Sequence, residues 1–191
     1  MKILSGKFKG KSLKTFSNPS VRPTCGVVKE AVFNICANHI VGARFLDLFA
    51  GSGSMGFEAI SRGAESATFV DSSVEAVRLI RANLALLDSN LPVHILKQDV
   101  RSALLRLGKQ NRSFDIVYID PPYALENAFL QEVLSYVVQQ SLLEPDGILF
   151  LENASPQEIL VQGLELRKRR KSGGTFLSEY IQQENSAHHS T

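Results

Sequence analysis

The sequence predicts an α/β protein whose mostly parallel sheet is covered by helices on both faces. Two observations predict this fold. Short apolar runs of strand type alternate with segments of helical periodicity, and a glycine-rich turn joins an early strand to the helix after it. Parallel strands need crossover connections, which are usually helices. Two further strand-type runs, separated by a Ser-Gly-Gly turn, predict an antiparallel hairpin that closes the sheet.

The beginning of the chain is predicted to form a small basic hairpin followed by a helix. Apolar and basic residues alternate over 1–16 around Gly6 and Gly10. Thr24 is a candidate N-cap for the helix. The helix is predicted to end at the Val41-Gly42-Ala43 stretch. We therefore divide the chain into three predicted parts, a basic extension, a main domain and a flexible tail, at residues 1–40, 41–182 and 183–191.

The main domain is predicted from alternating strand and helix patterns. The predicted strands are 45–50, 65–70, 93–96, 114–119, 148–152, 164–170 and 175–181. The predicted helices are the segment from the glycine turn to about residue 62, then 74–87, 100–107, 125–140 and a short one at 156–162. Pro145 and Gly147 predict a turn over residues 143–147.

Composition narrows the class of protein. The 191 residues, 44% of them apolar, suit one soluble domain. No apolar run approaches the ~20 residues of a membrane span, and the first residues lack a signal-peptide pattern. We therefore expect a cytoplasmic monomer without membrane contact. Cys25 and Cys36 form no metal-binding pattern, so neither a metal site nor a disulfide framework is expected.

Positive charge is concentrated at the start of the chain. Residues 1–29 contain seven bases and no acid, whereas the remainder holds the other fourteen bases and all nineteen acids. This asymmetry indicates a polyanionic partner such as a nucleic acid. The alternative is a solvated hairpin, since lysines also protect edge strands from aggregation. The seven bases are Lys2, Lys7, Lys9, Lys11, Lys14, Arg22 and Lys29.

One stretch, residues 115–123, predicts a functional site. It is a strand-type run that ends in Asp120-Pro121-Pro122-Tyr123. Proline lacks the N–H that a central strand needs, so the strand must end here. Asp120 is therefore predicted at the carboxyl end of a buried strand, where open α/β sheets bind their ligands. The alternative is a proline-stiffened loop without function.

The glycine-rich turn after the first predicted strand fits two kinds of cofactor. Gly51, Gly53 and Gly56 have the G-x-G-x-x-G spacing with which dinucleotide enzymes bind pyrophosphate at a helix N-terminus. Asp47, however, lies four residues before Gly51. Its carboxylate would repel pyrophosphate, but it could hold a cationic amino-acid group.

Two more acids follow later strands. Asp71 lies 20 residues after Gly51, the spacing at which nucleotide-binding units place an acid on a ribose. Asp99 follows the next strand and would meet an adenine amino group. Together with Asp47 these acids favour S-adenosylmethionine, a cationic nucleoside, over an anionic dinucleotide. A strand-end or helix-capping role stays open for Asp47, and a plain loop position for Asp99.

Several motifs resemble a known family. Asp47-Leu48-Phe49-Ala50-Gly51-Ser52-Gly53 is similar to the first motif of class I S-adenosylmethionine-dependent methyltransferases, and Asp120-Pro121-Pro122-Tyr123 resembles the signature of enzymes that methylate exocyclic amines of bases. The segments 3–10, Arg22-Pro23-Thr24 and 30–34 resemble the RsmD family of bacterial 16S rRNA guanine-N2 methyltransferases. The resemblance covers nearly the whole chain and implies a Rossmann-like fold.

The resemblance also implies roles for individual residues. The Asp120 carboxylate and the Pro121 carbonyl would accept the hydrogens of the target amine, Pro122 would fix the turn, and Tyr123 would stack on the base. S-adenosylmethionine would bind at Asp47, Phe49, Gly51, Gly53, Asp71 and Asp99. The 16S rRNA, free or within a small ribosomal subunit, would contact Lys7, Lys9, Lys11, Arg22 and Thr24, with Lys29 as a further phosphate contact.

Alternatives and one departure from the family stay open at this point. The same motif would serve adenine N6 or cytosine N4 in RNA or DNA. A nicotinamide-dependent oxidoreductase leaves Asp47 and Asp120 unexplained, and a non-catalytic RNA-binding module does not need the intact Asp-Pro-Pro-Tyr stretch. The Cys25-Gly26-Val27 stretch lacks a base that the family usually has there. A second basic run, residues 167–171, is interpreted as a solvated turn.

Overall fold

The computed structural model describes residues 1–16, 26–122, 126–172 and 174–183. Within these residues, seven strands form one sheet that five helices accompany. The strands are β1 (Arg44–Leu48), β2 (Ser66–Asp71), β3 (Val93–Lys97), β4 (Phe114–Ile119), β5 (Leu143–Asn153), β6 (Leu164–Ser172) and β7 (Thr175–Gln182). The helices are α1 (Gly26–Ile35), α2 (Ser54–Ser61), α3 (Val74–Leu87), α4 (Val100–Lys109) and α5 (Asn127–Gln139).

The strand order is β3-β2-β1-β4-β5-β7-β6. Strands β1 to β5 pair in parallel, and β7 lies antiparallel between β5 and β6. This confirms the predicted Rossmann-like sheet with an antiparallel C-terminal hairpin. The chain order reverses between β1 and β4, and ligands of such sheets bind at the carboxyl ends of the strands beside this reversal.

The core has one layer on each face of the sheet, because successive side chains of a strand point to opposite faces. Helices α1, α2 and α3 cover one face, where Phe33, Phe57 and Ile80 pack with the strand residues Phe45 and Phe150. Helices α4 and α5 cover the other face. None of the helices in the described part of the chain has the length and apolar character that a membrane span requires.

The N-terminal arm, residues 1–16, is a series of turns rather than a two-stranded hairpin. It reverses direction, but its two halves share a single antiparallel bridge, between Lys2 and Ser12. Ile3, Phe8 and Leu13 are buried in the layer formed with α1, α2 and α3. Such anchors contribute about 1.5–3 kcal/mol each through burial of apolar surface. The lysines between them remain exposed.

Three local predictions were wrong. Residues 143–147 belong to β5 and not to a turn, because Leu143 pairs with Phe114 and its carbonyl accepts a hydrogen bond from Gln182. The segment 156–162 is not helical, because side chains such as Tyr180 occupy its carbonyls. The basic run 167–171 lies in β6 at the sheet edge and is not a turn. Thr24, Arg22, Cys25, Tyr123, the start of the predicted 125–140 helix and nearly all of the tail lie outside the described residues.

Candidate active site

The two sequence motifs meet at the carboxyl edge of the sheet. β1 and β4 are neighbours, with Leu48 paired to Ile119, the last residues of both strands. The Asp120 amide lies 3.5 Å from the Leu48 carbonyl and donates to it. The glycine turn follows β1, and Asp120-Pro121-Pro122 follows β4. These two segments are therefore adjacent at the point where the strand order reverses.

The glycine turn has an unusual backbone. Gly51 and Gly53 have positive φ values of 55° and 79°, which glycine adopts without steric cost. Phe49 has φ 62°, which is strained for a residue with a side chain, and such strain concentrates at functional sites. Within the turn, the Gly53 amide donates to the Ala50 carbonyl at 2.8 Å, which fixes the tight bend before α2.

Close packing of α2 on β2 explains the two later glycines of the turn. A Cβ atom on Gly53 would lie 2.8 Å from the Phe57 ring, and one on Gly56 would lie 2.3 Å from the Phe69 ring. Both distances are shorter than a carbon–carbon contact permits. A side chain at either position would push α2 away from the sheet and displace the turn that the helix holds.

Asp47 has a structural partner within the protein. Its side chain is 2% exposed, and its Oδ2 accepts a hydrogen bond from the Gly56 amide at 3.1 Å. The N-cap residue of α2, Gly53, offers no side-chain acceptor, so Asp47 accepts one of the free N–H groups in the first turn of α2. Burial raises the pKa of the Asp47 carboxyl to about 7, although the Gly56 amide opposes the shift.

Asp71 lies at the end of β2 against the glycine turn. One carboxylate oxygen accepts from the Gly51 amide at 2.8 Å, and the other accepts from the Ser73 amide at 2.8 Å. Each carboxylate oxygen has two lone pairs, so both oxygens can accept further hydrogens, such as those of a ribose diol. Asp71 therefore holds the glycine turn and can also accept from the ribose that the sequence spacing predicts at this position.

Asp99 caps α4. Its Oδ1 accepts from the Ser102 amide at 3.0 Å. The side chain is exposed, and its hydrogen bond with Ser102 lowers the pKa of the carboxyl. Its position directly after β3 places this carboxylate at the carboxyl edge of the sheet. The set of donors and acceptors, a positive-φ turn with acids at the ends of β1, β2 and β3, suits a cationic nucleoside.

Behind Asp120 lies a buried polar chain. The Tyr118 hydroxyl donates to Glu152 Oε2 at 2.8 Å, and the Thr175 hydroxyl donates to the other oxygen of Glu152 at 2.8 Å. Burial, followed by the charge of Asp120, raises the pKa of the Tyr118 hydroxyl well above its usual range, so Tyr118 stays protonated and a donor. This chain ties β4, β5 and β7 together beneath Asp120.

Asn83 connects the N-terminal arm to the glycine turn, and sequence reasoning missed it. This fully buried side chain on α3 accepts from the Lys14 amide at 2.7 Å and donates to the Lys14 and Ser52 carbonyls at 3.0 and 2.9 Å. Its signal in the sequence was a polar residue on the apolar face of α3, in line with Ala76 and Ile80.

Glu58 is a second residue that the sequence did not single out. Its buried carboxylate accepts from the Leu4 and Ser5 amides at 2.8 and 3.0 Å and pairs with Lys29 at 3.4 Å. Lys29 is 1% exposed, and its Nζ also donates to the Lys2 carbonyl. The expectation that Lys29 contacts RNA phosphates was therefore wrong, because the ammonium holds the N-terminal arm inside the protein.

The family model described as "Conserved hypothetical protein 95", the model of the RsmD family, matches residues 1–181. The chain belongs to the RsmD family. The protein is 35% identical to the "Putative rRNA methyltransferase YlbH" of Bacillus subtilis over 182 residues, which cover 94% of this chain and 98% of that relative. It is 31% identical to "Ribosomal RNA small subunit methyltransferase D" of Escherichia coli over 153 residues, covering 80% and 74%.

A solved structure of a similar protein has the same fold. The protein superposes on the "Putative methyltransferase yhhF" of Escherichia coli with a TM-score of 0.83 and 27% identity, covering 96% of this chain and 98% of that one. The agreement extends over the N-terminal arm and the sheet together.

The predicted site residues fall into two groups in this RsmD-family chain. Asp47, Phe49, Gly51, Gly53, Asp71, Asp120, Pro121 and Pro122 lie around the β1–β4 reversal. Lys7, Lys9 and Lys11 do not, because the Lys7 amide donates to the Ser61 carbonyl at the far end of α2. A helix of eight residues is about 12 Å long, so the Lys7 backbone lies about that far from the glycine turn.

Proposed function

We propose that the protein transfers a methyl group from S-adenosylmethionine to the exocyclic N2 of a guanine in 16S rRNA. The coarser activity, methylation of ribosomal RNA, rests on membership of the RsmD family and on the names of its relatives. The choice of guanine N2 is the finer step, and it is supported by the family resemblance, whereas the acceptors at the end of β4 support an exocyclic amine as the target.

The observation that carries the proposal is the pairing of Leu48 with Ile119. It places a turn suited to a cationic nucleoside beside the Asp120-Pro121-Pro122 stretch, so a donor and an acceptor of a methyl group would meet between two neighbouring strands. S-adenosylmethionine supplies an electrophilic methyl on a sulfonium when it is bound. Asp71 would hold its ribose hydroxyls, Asp47 its amino-acid end and Asp99 its adenine amine.

The protein itself would activate the amine by accepting its hydrogens. The nitrogen lone pair of an exocyclic amine is delocalised into the ring, so the amine is a poor nucleophile. Acceptance of one N–H by the Asp120 carboxylate and of the other by the Pro121 carbonyl would favour a pyramidal, sp³ nitrogen, whose lone pair is localised on the nitrogen and oriented for attack on the methyl group. Pro121 is buried, and the two prolines restrict the backbone, so both acceptors are held in place before the base arrives.

RNA would bind outside this pocket through phosphate contacts. A paired base could not reach Asp120, so the target guanine must be unpaired or flipped out of its helix. Exposed lysines of the N-terminal arm, Lys7, Lys9 and Lys11, are proposed phosphate contacts, as are Arg22 and Thr24. Tyr123 is proposed to stack on the base, a contact worth about 1–3 kcal/mol.

Transfer of labelled methyl from S-adenosylmethionine to unmodified 16S rRNA or small subunits tests this function. The wild-type protein should label the RNA, and Asp120→Ala should lose about a hundred- to a thousandfold in a single turnover with both ligands saturating, as expected when one preorganised transition-state contact is removed. Asp146→Ala is the control, because it removes an exposed carboxylate near the start of β5, at the edge of the sheet opposite Asp120. Unlabelled RNA with wild-type protein would overturn the methyltransferase proposal. Asp120→Ala transferring methyl at the wild-type rate would overturn the role of Asp120.

A further inference from the structure

A run of five consecutive bases in β6 has no role in the site described so far. This basic strand, residues 167–171, lies at the edge of the sheet. β7 is antiparallel to β5 and β6 is antiparallel to β7, so β6 runs in the same direction as β4. The C-terminal end of the basic strand therefore lies at the same edge of the sheet as Asp120.

The register of the strands places the bases level with the proposed catalytic stretch. Ile119 pairs with Leu151, Leu151 with Ser178, and Ser178 with Arg169. One step further along each strand, Arg170 is level with Asp120, and Lys171 is level with Pro121. Three strand spacings separate β4 from β6, which is roughly 14 Å.

Little negative charge lies beside these bases. Arg167 and Arg170 share the single carboxylate of Glu179, at 3.8 and 3.4 Å. The Arg169 guanidinium donates to the Ser155 and Pro156 carbonyls and stacks over Phe176 at 4.3 Å, which leaves its charge in place. Lys168 and Lys171 are exposed.

We propose that the basic strand binds phosphates of the RNA segment that carries the target nucleotide, which rests on the proposed function. The N-terminal arm docks on α2 and α3, on the β1–β2 side of Asp120, whereas the basic strand lies on the β6 side. The basic strand would thus hold the RNA on the β6 side of the base that Asp120 receives.

The distribution of charge within β6 favours this role over protection of the sheet edge. Lysines that prevent edge-to-edge pairing serve along the whole exposed strand. In β6 the bases occupy only the half nearest the carboxyl edge, and the other half reads Leu164-Glu165-Leu166. The positive charge of β6 is therefore concentrated at the edge of the sheet where Asp120 lies.

The test measures RNA affinity at several salt concentrations with a variant that neutralises Lys168 and Lys171. Each lost phosphate contact lowers the slope of log affinity against log salt by about 0.7, so the double glutamine variant should lose about 1.4. At 0.1 M salt this corresponds to roughly 10- to 30-fold weaker binding. The affinity for S-adenosylmethionine should stay unchanged.

Two controls keep the result interpretable. Lys109→Gln with Arg112→Gln removes the same charge at the opposite end of the sheet, from the last residue of α4 and the loop before β4, and should keep the wild-type salt slope. Lys168→Arg with Lys171→Arg should also keep it.

An unchanged slope for the glutamine variant would overturn the inference, and self-association of that variant with unchanged RNA affinity would assign the lysines to edge protection. Failure of the wild-type protein to methylate rRNA would instead refute the proposed function.

Discussion

The buried carboxyl of Asp47 should make the stability of the protein depend on pH in a way that one substitution removes. In the unfolded chain an aspartate loses its proton near pH 4. In the folded protein, burial raises the pKa of Asp47 to about 7. Between these values the folded state keeps a proton that the unfolded state has lost, so stability falls as the pH rises from about 4 to about 7 and stays low above that.

Asp47→Asn removes the titrating group but keeps an oxygen that can accept from the Gly56 amide. One pKa unit corresponds to about 1.4 kcal/mol, so the advantage of the asparagine variant in free energy of unfolding should grow by about 2–3 kcal/mol between pH 5 and pH 8. Urea unfolding of both proteins at the two pH values, without cofactor, measures this difference. The variant should at the same time bind S-adenosylmethionine more weakly.

Asp99→Asn is the matched control for this experiment. Asp99 is exposed, and its pKa is lowered by the hydrogen bond with Ser102, so it is ionised in both states at pH 5 and at pH 8. Its substitution should change stability equally at the two pH values. If the advantage of Asp47→Asn did not grow between pH 5 and pH 8, Asp47 would titrate normally and the account of its burial would be wrong.

Three other variants test the remaining parts of the site. Asp71→Ala should raise the dissociation constant of S-adenosylmethionine roughly ten- to a hundredfold, because hydrogen bonds to a charged acceptor are lost. The RNA affinity should stay intact, and calorimetric titration measures both affinities. Asn83→Ala should cost about 2–4 kcal/mol in urea unfolding, because the Lys14 and Ser52 backbone groups lose their buried partner, and should also weaken cofactor binding. Neutralising Lys7, Lys9 and Lys11, the exposed lysines of the N-terminal arm, should lower the slope of log RNA affinity against log salt by about 2. An unchanged slope would mean that the arm has a structural role only.

Much of the fold and the centre of the site could be predicted because their signals are local. The strand before Asp120 is a continuous apolar run, and two prolines end it. Gly51 and Gly53 have the positive φ values that their positions in a tight turn indicate. The mostly parallel sheet covered on both faces followed from the alternation of strands with helices, since parallel strands need crossover connections.

The contacts that could not be predicted join residues far apart in the sequence. Asn83 bonds to Lys14, 69 residues away, and Glu58 bonds to Leu4, 54 residues away. Nothing local distinguishes the buried Lys29 from the exposed lysines of the arm, because its burial depends on the carboxylate of Glu58. The same reason explains β5, whose extension to Leu143 depends on its partners in β4 and β7.

The identity of the methylated nucleoside tests the central claim most directly. Unmodified small subunits would be incubated with the purified protein and S-adenosylmethionine carrying a labelled methyl group, and the 16S rRNA would then be digested and its nucleosides resolved by mass spectrometry. We predict that the label appears in N2-methylguanosine at a single position. Label in N6-methyladenosine or N4-methylcytidine, or spread over many guanines, would contradict the assignment of this protein as a guanine-N2 methyltransferase of 16S rRNA.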